Sequence, residues 1–358
     1  MGKLYLISNL RKDVREGGMA RNLAFQNELL KRKAKIFSFS SMNFFYRICS
    51  SFKILFFLSN TRKSTVVILQ NTFVTYVFPL PLFRYNFLVA IVRKIFINAS
   101  KRNNIYFEIN DLIYEQSKDL KLHVNPYSST YEDFIFGISG MKFIFASNKM
   151  REYIVDKYGV KYENTQVILN GAPEILNNDE IRPKVILDEK LIKFIYVGTL
   201  NKGRQIEELI SIFDNINHEL YLMGKEGEWI NLSNKKNVFY IGSFDEYQAL
   251  IKTSQFDIGV IPYDNTTFYY NVCYPTKNAF YLSSGLPILC TPLEETKNVF
   301  KGLLNEDIAI FAEIADWKSI IENLDKSKII TMQENVDKIK SKVYWNNILS
   351  RLKLDIHL

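Results

Sequence analysis

Short apolar runs alternate with amphipathic stretches along most of the 358-residue chain. In the first half, runs rich in β-branched and aromatic residues predict five strands, at 3–8, 35–40, 65–70, 104–109 and 142–147. Apolar positions three or four residues apart predict helices between them, at 19–33, 42–58, 82–102, 128–139 and 148–158. Strands that alternate with helices in this way are typical of an α/β fold built on parallel sheets.

The same rhythm restarts after a polar, irregular stretch at 174–190. Strands are predicted at 193–198, 219–224, 237–242, 256–262 and 287–291, with helices at about 203–215, 245–253 and 276–284. The polar stretch is the best candidate for a linker. The pattern therefore predicts two Rossmann-like doubly wound domains, over residues 1–170 and 171–340, whose carboxyl strand ends face a cleft.

Charge is distributed unevenly between the two halves. Residues 1–170 hold 25 Lys and Arg against 12 Asp and Glu, whereas residues 171–358 hold 21 against 26. A basic half indicates a nucleic acid or an anionic membrane surface as partner. Nucleic acid is disfavoured, because the aromatic residues lie in apolar helical runs and not between basic residues on a strand platform.

Two apolar segments bear on the membrane alternative. Residues 44–58 (FFYRICSSFKILFFL) and 80–97 (LPLFRYNFLVAIVRKIFI) are interrupted by Arg or Lys, and the first is too short to span a bilayer. Their aromatic residues suit the bilayer interface, which predicts amphipathic helices lying on a membrane. The alternative is a pair of core helices, each with one solvated face.

The cysteines, the histidines and the N-terminal segment argue against a disulfide framework, a structural zinc site and a signal peptide. Cys49, Cys273 and Cys290 are scattered and odd in number, which argues against a disulfide framework and for a reducing cytosol. None of them has metal-ligand spacing with a histidine, so no structural zinc is expected. The segment MGKLYLISNL predicts a first strand and lacks the features of a signal peptide.

Two segments of the second half place cations at predicted helix starts. In YVGTLNKGRQIEELI (196–210), a strand ends at Gly198 and the loop before the next helix carries Lys202 and Arg204. In YPTKNAFYLSSGLP (274–287), Lys277 lies in the first turn of an apolar helix that follows Pro275. Amides at a helix start and nearby cations favour an anion. The alternative is that these cations are solvated at the surface.

Together the two segments resemble the donor-binding domain of GT-B glycosyltransferases of the family 4 type, over roughly residues 194–295. The resemblance implies that Arg204, Lys202 and Lys277 hold the diphosphate of a nucleotide sugar. It implies that the loop after NVFYIG borders the base. The remaining donor-binding residues that it implies are Gly198, Gly242, Ser243, Phe244, Tyr274, Thr276 and Asn278.

One departure from the family concerns the nucleotide ribose. The family usually has a glutamate where this chain has Phe280, and an acidic residue eight positions upstream, where this chain has Val272. Tyr274, Asn278 or Tyr281 are candidates to replace these carboxylates by hydrogen bonding.

The first half matches the family less tightly. Gly17 and Gly18, in SNLRKDVREGGMARNL, resemble its glycine-rich loop against the donor, with positive potential added by Arg11, Arg15 and Arg21. In YFEINDLIYE, Asp111 is predicted to lie nearest the transferred sugar and the acceptor hydroxyl; the alternative is an Asp that caps the turn. Residues 341–358 resemble a C-terminal helix that crosses back to the first domain.

The resemblance implies transfer of a sugar to a hydroxyl of a glycan or lipid-linked glycan in bacterial surface polysaccharide (capsule or O-antigen) biosynthesis. Asp111, Arg204 and Lys277 are the predicted catalytic residues. The resemblance implies retention of configuration, as in most of family 4, in which case Asp111 positions groups; if the enzyme inverts, Asp111 is the candidate general base on the acceptor. No metal and no cofactor are expected. The predicted location is cytoplasmic, peripheral on the inner face of the plasma membrane. The alternative is a non-catalytic nucleotide- or glycan-binding homologue, suggested by the missing carboxylate.

Overall fold

The computed structural model describes residues 3–9, 17–39, 43–176, 191–201, 203–304 and 306–356. The chain divides into two compact units. The first unit comprises Met1–Lys12, Arg21–Leu169 and Leu349–Leu358, and the second comprises Asp13–Ala20 and Asn170–Ile348. Most of the predicted linker, residues 177–190, lies outside the described residues.

The first unit is built on six short strands that are mostly buried. They are β1 (Lys3–Asn9), β2 (Lys35–Phe39), β3 (Ser64–Leu69), β4 (Asn104–Ile109), β5 (Lys142–Phe145) and β6 (Thr165–Val167). All pair in parallel, in the order β2-β1-β3-β4-β5-β6. The strand β2 lies on one side of β1, and β3 lies on the other. The carboxyl ends of β1 and β3 therefore flank a topological switch point.

Seven α-helices connect or follow these strands. They are α1 (Gly17–Lys31), α2 (Phe44–Asn60), α3 (Gln70–Thr72), α4 (Asn86–Ser100), α5 (Ile113–Asp119), α6 (Ser128–Phe136) and α7 (Asn148–Tyr158). Helix α3 continues into a π-helical turn at Phe73–Val77, and a 3-10 turn at Leu80–Arg84 precedes α4. Aromatic rings fill the interior here, with Phe73 in contact with Phe96, Phe107 and Phe134.

The second unit repeats the architecture with a second parallel sheet. Its strands are β7 (Lys193–Val197), β8 (Glu219–Met223), β9 (Val238–Tyr240), β10 (Ile258–Ile261), β11 (Ile288–Cys290) and β12 (Ala309–Phe311). They are ordered β12-β11-β10-β7-β8-β9. The switch point therefore lies between β7 and β10. Packing of Phe194, Phe213, Leu289 and Trp317 helps to form the core on one face.

Eight α-helices belong to the second half of the chain. They are α8 (Ile206–Phe213), α9 (Glu246–Thr253), α10 (Phe268–Val272), α11 (Thr276–Ser283), α12 (Glu294–Val299), α13 (Trp317–Glu322), α14 (Lys326–Ile339) and α15 (Trp345–Leu349). The predicted helix over 341–358 is present only as α15. The segment after it runs without regular structure along the first unit, where the Asp355 carbonyl accepts from Thr65 Oγ1 and Asn104 Nδ2.

The predicted α/β class with two doubly wound sheets is confirmed. All ten predicted strands are present, with β9 shorter than expected. The sequence pattern missed β6 and β12, which are only three residues long. None of the helices described is both long and apolar enough to cross a bilayer.

Candidate active site

The carboxyl end of β7 opens a loop of unusual backbone conformation. Gly198 has φ +135° and Gly203 has φ +86°, both in the region that favours glycine. Gln205 also lies in the left-handed region, at φ +55°, directly before α8. Gly198 and Gly224, at the ends of neighbouring strands, touch so closely that a Cβ on Gly224 would lie 1.7 Å from the Gly198 carbonyl oxygen.

Lys277 reaches into this loop from the first turn of α11. The helix begins at Thr276, directly after Pro275, and Lys277 is buried. Its Nζ lies 2.6 Å from where a Cβ on Gly198 would be, so the glycine leaves the room that the ammonium group occupies. Lys277 Nζ donates a hydrogen bond of 2.8 Å to Tyr263 Oη.

Arg204 meets the same hydroxyl from the other side of the switch point. Its Nη1 donates to Tyr263 Oη at 3.0 Å. Two cations predicted from segments far apart in the sequence are therefore brought together on one oxygen. Tyr263 follows β10, and its ring stacks on that of Tyr270 with centroids 4.4 Å apart. This arrangement places two cations on one oxygen at the switch point of the sheet.

The electrostatics of this cluster favour an added negative charge. Burial raises the pKa of Tyr263, but the charges of Arg204 and Lys277 lower it more, so the net shift is below its ordinary value. Burial, with the charge of Arg204, lowers the pKa of Lys277. The lowered pKa of Tyr263 reflects the positive potential of the two cations, whereas the lowered pKa of Lys277 reflects its burial first and the charge of Arg204 second.

Several buried polar atoms around the two cations have no hydrogen-bond partner within the described part of the chain. They are Asn201 Oδ1, Arg204 Nε, Gln205 Oε1 and Asn278 Oδ1. Buried polar atoms are nearly always paired in folded proteins, so a group of orphans in one place indicates a site that a ligand or water completes. Asn278 is fully buried and donates its Nδ2 to Thr296 Oγ1 at 3.0 Å.

The other predicted donor-binding residues of the second unit are arranged as follows. Gly242 has φ +91°, and its carbonyl accepts from the Gly224 amide at 2.9 Å. Ser243 is exposed and Phe244 half-buried, with Lys252 Nζ 4.6 Å from the centre of its ring. Tyr274 is buried, and its carbonyl accepts from Asn170 Nδ2 at 2.8 Å. Lys202 lies outside the described residues.

The candidates to replace the family's carboxylates differ in what they are free to do. Phe280 is half-buried and Val272 is buried, so neither supplies a polar atom. The Tyr281 hydroxyl accepts from the Val197 amide at 2.9 Å and donates to the Val260 carbonyl at 3.1 Å. It ties β7 to β10 at the switch point, whereas Asn278 keeps an oxygen without a partner.

In the first unit, Asp111 lies in the loop between β4 and α5. Gln70 holds this loop, because its Oε1 accepts from the amides of Asn110 and Asp111 and its Nε2 donates to the Asp111 carbonyl. Asn110 Nδ2 donates to Asp111 Oδ2 at 2.8 Å. The Asp111 backbone is thus fixed by a residue from the end of β3.

A buried ion pair lies beneath the same end of this sheet. Arg21 Nε contacts Glu108 Oε1 at 2.5 Å, and Arg21 Nη1 donates to the Ile168 and Leu169 carbonyls. Arg21 therefore anchors α1 to the sheet. Gly17 and Gly18 form the first turn of α1 and do not precede it. Arg11 and Arg15 lie outside the described residues.

Two residues at these sites were not anticipated from the sequence. Tyr263 links the two cations and Gln70 holds the Asp111 loop. A tyrosine at the end of a buried strand normally signals packing. The feature that could have identified them is a polar group at the end of a strand. Gln70 is the last residue of the predicted strand 65–70, and Tyr263 follows the predicted strand 256–262, at the sheet edge where ligands bind.

No metal cluster and no disulfide accompany these residues in the described part of the chain. No group of three or more His, Cys, Asp or Glu is placed there to hold a metal ion. Cys273 and Cys290 are buried and Cys49 is exposed, and all three are free thiols.

Residues 194–355 match the family model described as Glucosyltransferase 3-like, C-terminal domain. Among curated proteins, none matches the chain significantly by sequence. The family match covers the whole cationic cluster around Tyr263.

Solved structures match both units together. The sucrose-phosphate synthase from Thermosynechococcus elongatus is 11% identical, with a TM-score of 0.65 over 98% of this chain and 97% of that chain. Anabaena HepE, solved in complex with UDP and glucose, is 12% identical, with a TM-score of 0.63 over 97% and 98%. The lipopolysaccharide outer core galactosyltransferase WaaB is 11% identical, with a TM-score of 0.60 over 98% and 100%.

At these identities the structural matches establish the fold, which is GT-B. Taken with the family match of the second unit, they make the chain a glycosyltransferase of the GT-B type.

Proposed function

We propose that this glycosyltransferase moves a sugar from a nucleoside-diphosphate sugar to a hydroxyl of a glycan or lipid-linked glycan in surface polysaccharide assembly. The observation that carries the proposal is the convergence of Arg204 and Lys277 on Tyr263 Oη, at 3.0 and 2.8 Å. A buried lysine and a half-buried arginine that share one phenolic oxygen form a site suited to a diphosphate, and the polar atoms without partners beside them in the sequence offer further contacts.

The positive charge of Arg204 and Lys277 suggests how the reaction is catalysed. As the bond between the sugar's anomeric carbon and the diphosphate breaks, negative charge grows on the phosphate oxygens. Fixed cations in a water-poor site stabilise this charge without reorganisation, which lowers the barrier to departure. Arg204 offers a fork of donors and Lys277 a point charge, so together they take the role that a metal ion has in other transferases. A metal-independent reaction is proposed on this ground.

The acceptor side is assigned to the first unit. Asp111 has a fixed backbone and a carboxylate oriented by Asn110, which suits it to position an acceptor hydroxyl. We assign it positioning in a retaining transfer, as the resemblance to family 4 favours. The chain is proposed to act at the inner face of the plasma membrane, because its first half is basic and bears exposed aromatic residues.

The test is nucleotide binding by thermal shift with UDP, GDP, dTDP, CMP and ADP. HepE was solved with UDP, which makes UDP the first ligand to try. A ligand at a hundredfold over its Kd adds about 2.7 kcal/mol of stability. If no nucleoside diphosphate stabilises the protein, the proposed donor site is wrong.

Lys277→Met separates a binding role from a structural one. Methionine keeps the length and removes the charge, so the unliganded protein is expected to be at least as stable as the wild type, since a buried charge is costly. Nucleotide stabilisation is expected to vanish, and turnover to fall on the order of 10²–10³-fold. Lys328→Met, at an exposed position of α14, is the matched control and should change neither. A Lys277→Met protein that binds nucleotide normally would contradict the assignment.

A further inference from the structure

Helix α2 presents its aromatic side chains to solvent and its serines to the protein. Phe44, Phe45, Phe52 and Phe56 are 69%, 75%, 72% and 73% exposed. The buried positions of the helix are Ser50, Ser51, Ile54 and Leu58, and Ser51 Oγ donates to the Val77 carbonyl. A helix selected for water alone would show the reverse distribution. The outward aromatic residues therefore require an explanation beyond packing.

Helix α4 adds to the same surface. It packs beside α2, and near its start it exposes Phe87 (63%) and Ile91 (53%). Its later residues Val92, Phe96 and Ala99 are buried. We call Phe44, Phe45, Phe52, Phe56, Phe87 and Ile91 the aromatic face. Phe57 does not belong to it, because its ring packs on Tyr5 and Phe37.

The charged side chains that α2, α4 and the chain between them contribute are all basic. From Leu29 to Phe107 the sequence contains thirteen Lys or Arg and no Asp or Glu. Lys53 of α2, Arg84 before α4 and Lys94 of α4 are exposed. Phenylalanine side chains suit the boundary between headgroups and acyl chains, while Lys and Arg can reach back to anionic headgroups.

We propose that the aromatic face is a docking surface for an anionic lipid bilayer, on which α2 lies flat with its phenylalanines inserted at the interface. The commitment to a bilayer follows from the charge, because a second copy of the chain docked on the same surface would bring its own Lys53, Arg84 and Lys94 against those of the first. With seventeen residues, α2 is about 26 Å long, so its insertion occupies an extended strip of the interface.

This proposal deepens the membrane location proposed above and does not depend on the sugar-transfer step. The experiment is sedimentation of the full-length protein with phosphatidylcholine vesicles and with vesicles that also contain phosphatidylglycerol. We expect pelleting with the anionic vesicles that weakens as salt is raised, and little pelleting with the neutral ones. Equal pelleting with both, or with neither, would overturn the proposal.

Variants identify the surface. Phe52→Ser combined with Phe56→Ser removes two exposed rings and is expected to lower the vesicle partition coefficient at least tenfold. Lys53→Glu combined with Lys94→Glu is expected to do the same on anionic vesicles. Tyr162→Ser, an exposed aromatic residue of the same unit, and Lys328→Glu are matched controls and should bind as the wild type does.

Further readouts keep the outcomes distinct. Nucleotide-induced thermal stabilisation should be unchanged in both double variants, which shows that they are folded and separates this proposal from the donor site. Wild-type pelleting by Phe52→Ser/Phe56→Ser would overturn the proposal. The proposal would also be overturned if the wild-type protein did not bind vesicles but self-associated, and if Phe52→Ser/Phe56→Ser abolished that self-association. The aromatic face would then bind a second copy of the chain.

Discussion

Tyr263 is the residue on which the candidate donor site depends most directly. Its hydroxyl oxygen accepts from both Arg204 and Lys277, and its ring lies within 6 Å of both cations. In the unliganded protein it holds two like charges together. On the proposal made above, a phosphate oxygen of the donor takes over this role when the diphosphate binds.

Tyr263→Phe is expected to have the opposite effect to Lys277→Met. Without the hydroxyl, the buried Lys277 and the half-buried Arg204 lose their shared acceptor, and the unliganded protein should lose about 1–3 kcal/mol of stability. The nucleotide brings its own oxygens, so its stabilising effect should be at least as large as in the wild type. Thermal unfolding with and without UDP measures both quantities. Loss of the UDP effect would instead indicate that the hydroxyl binds the ligand directly.

How much of the site the sequence reveals differs from residue to residue. Arg204 and Lys277 were found because helix starts and glycines at strand ends are readable patterns. Their meeting at one oxygen could not be predicted from the sequence, since it depends on Tyr263 and on the strand order. Asp111 was found by its place after a strand, whereas Gln70, which holds it, lies in a three-residue helix that periodicity cannot detect.

At the scale of elements, every strand of four or more residues was predicted, whereas β6 and β12, of three residues each, were missed, as was the fourteen-residue helix α14. Helices α5 and α10 have seven and five residues, too few for a helical period to stand out. Helix α2 was located correctly, but its orientation was not settled, because an aromatic stripe can face either a core or a membrane.

Helices α5, α6 and α7 share a buried network that predicts a pH dependence of stability. Burial raises the pKa of Glu132 to about 7, although the Tyr114 amide and the charge of Lys157 oppose the shift. Because the pKa is higher in the folded state, this group stabilises the fold below its unfolded pKa, about 4.3. That contribution is lost as pH rises through about 7.

Glu132→Gln should remove this dependence. Relative to the wild type, its free energy of unfolding should rise by about 3 kcal/mol between pH 4 and pH 8. Urea unfolding across that range measures the difference. Glu163→Gln, an exposed carboxylate of the same unit, is the control. If the difference in free energy of unfolding between Glu132→Gln and the wild type does not change with pH, the prediction is wrong. The neighbouring groups would then compensate the negative charge of Glu132 fully.

At the scale of the whole molecule, both sheets were predictable because each strand is an apolar run between helices. Strand order was not predictable from one sequence, and it places β7 and β10 side by side with their loops together. The uneven charge of the halves was visible from composition, but only the exposed face of α2 turns it into a specific surface.

A metal-independent reaction predicts how the whole enzyme responds to chelation. On the proposal that Arg204 and Lys277 supply the charge that stabilises the departing diphosphate, EDTA should leave turnover unchanged, and added Mg²⁺ should alter it less than twofold. The measurement is the rate at which nucleoside diphosphate is released when both donor and acceptor are present. Activity that disappears in EDTA and returns with Mg²⁺ would contradict this prediction.

The contact between Gly198 and Gly224 has a consequence for anyone who wishes to retarget the enzyme. A methyl group at either position would strike the backbone of the neighbouring strand end or the ammonium group of Lys277. Saturation libraries that include these two codons would consist mostly of misfolded or inactive clones. Diversity is better placed at the exposed Ser243 and the half-buried Phe244, in the loop that is predicted to border the base.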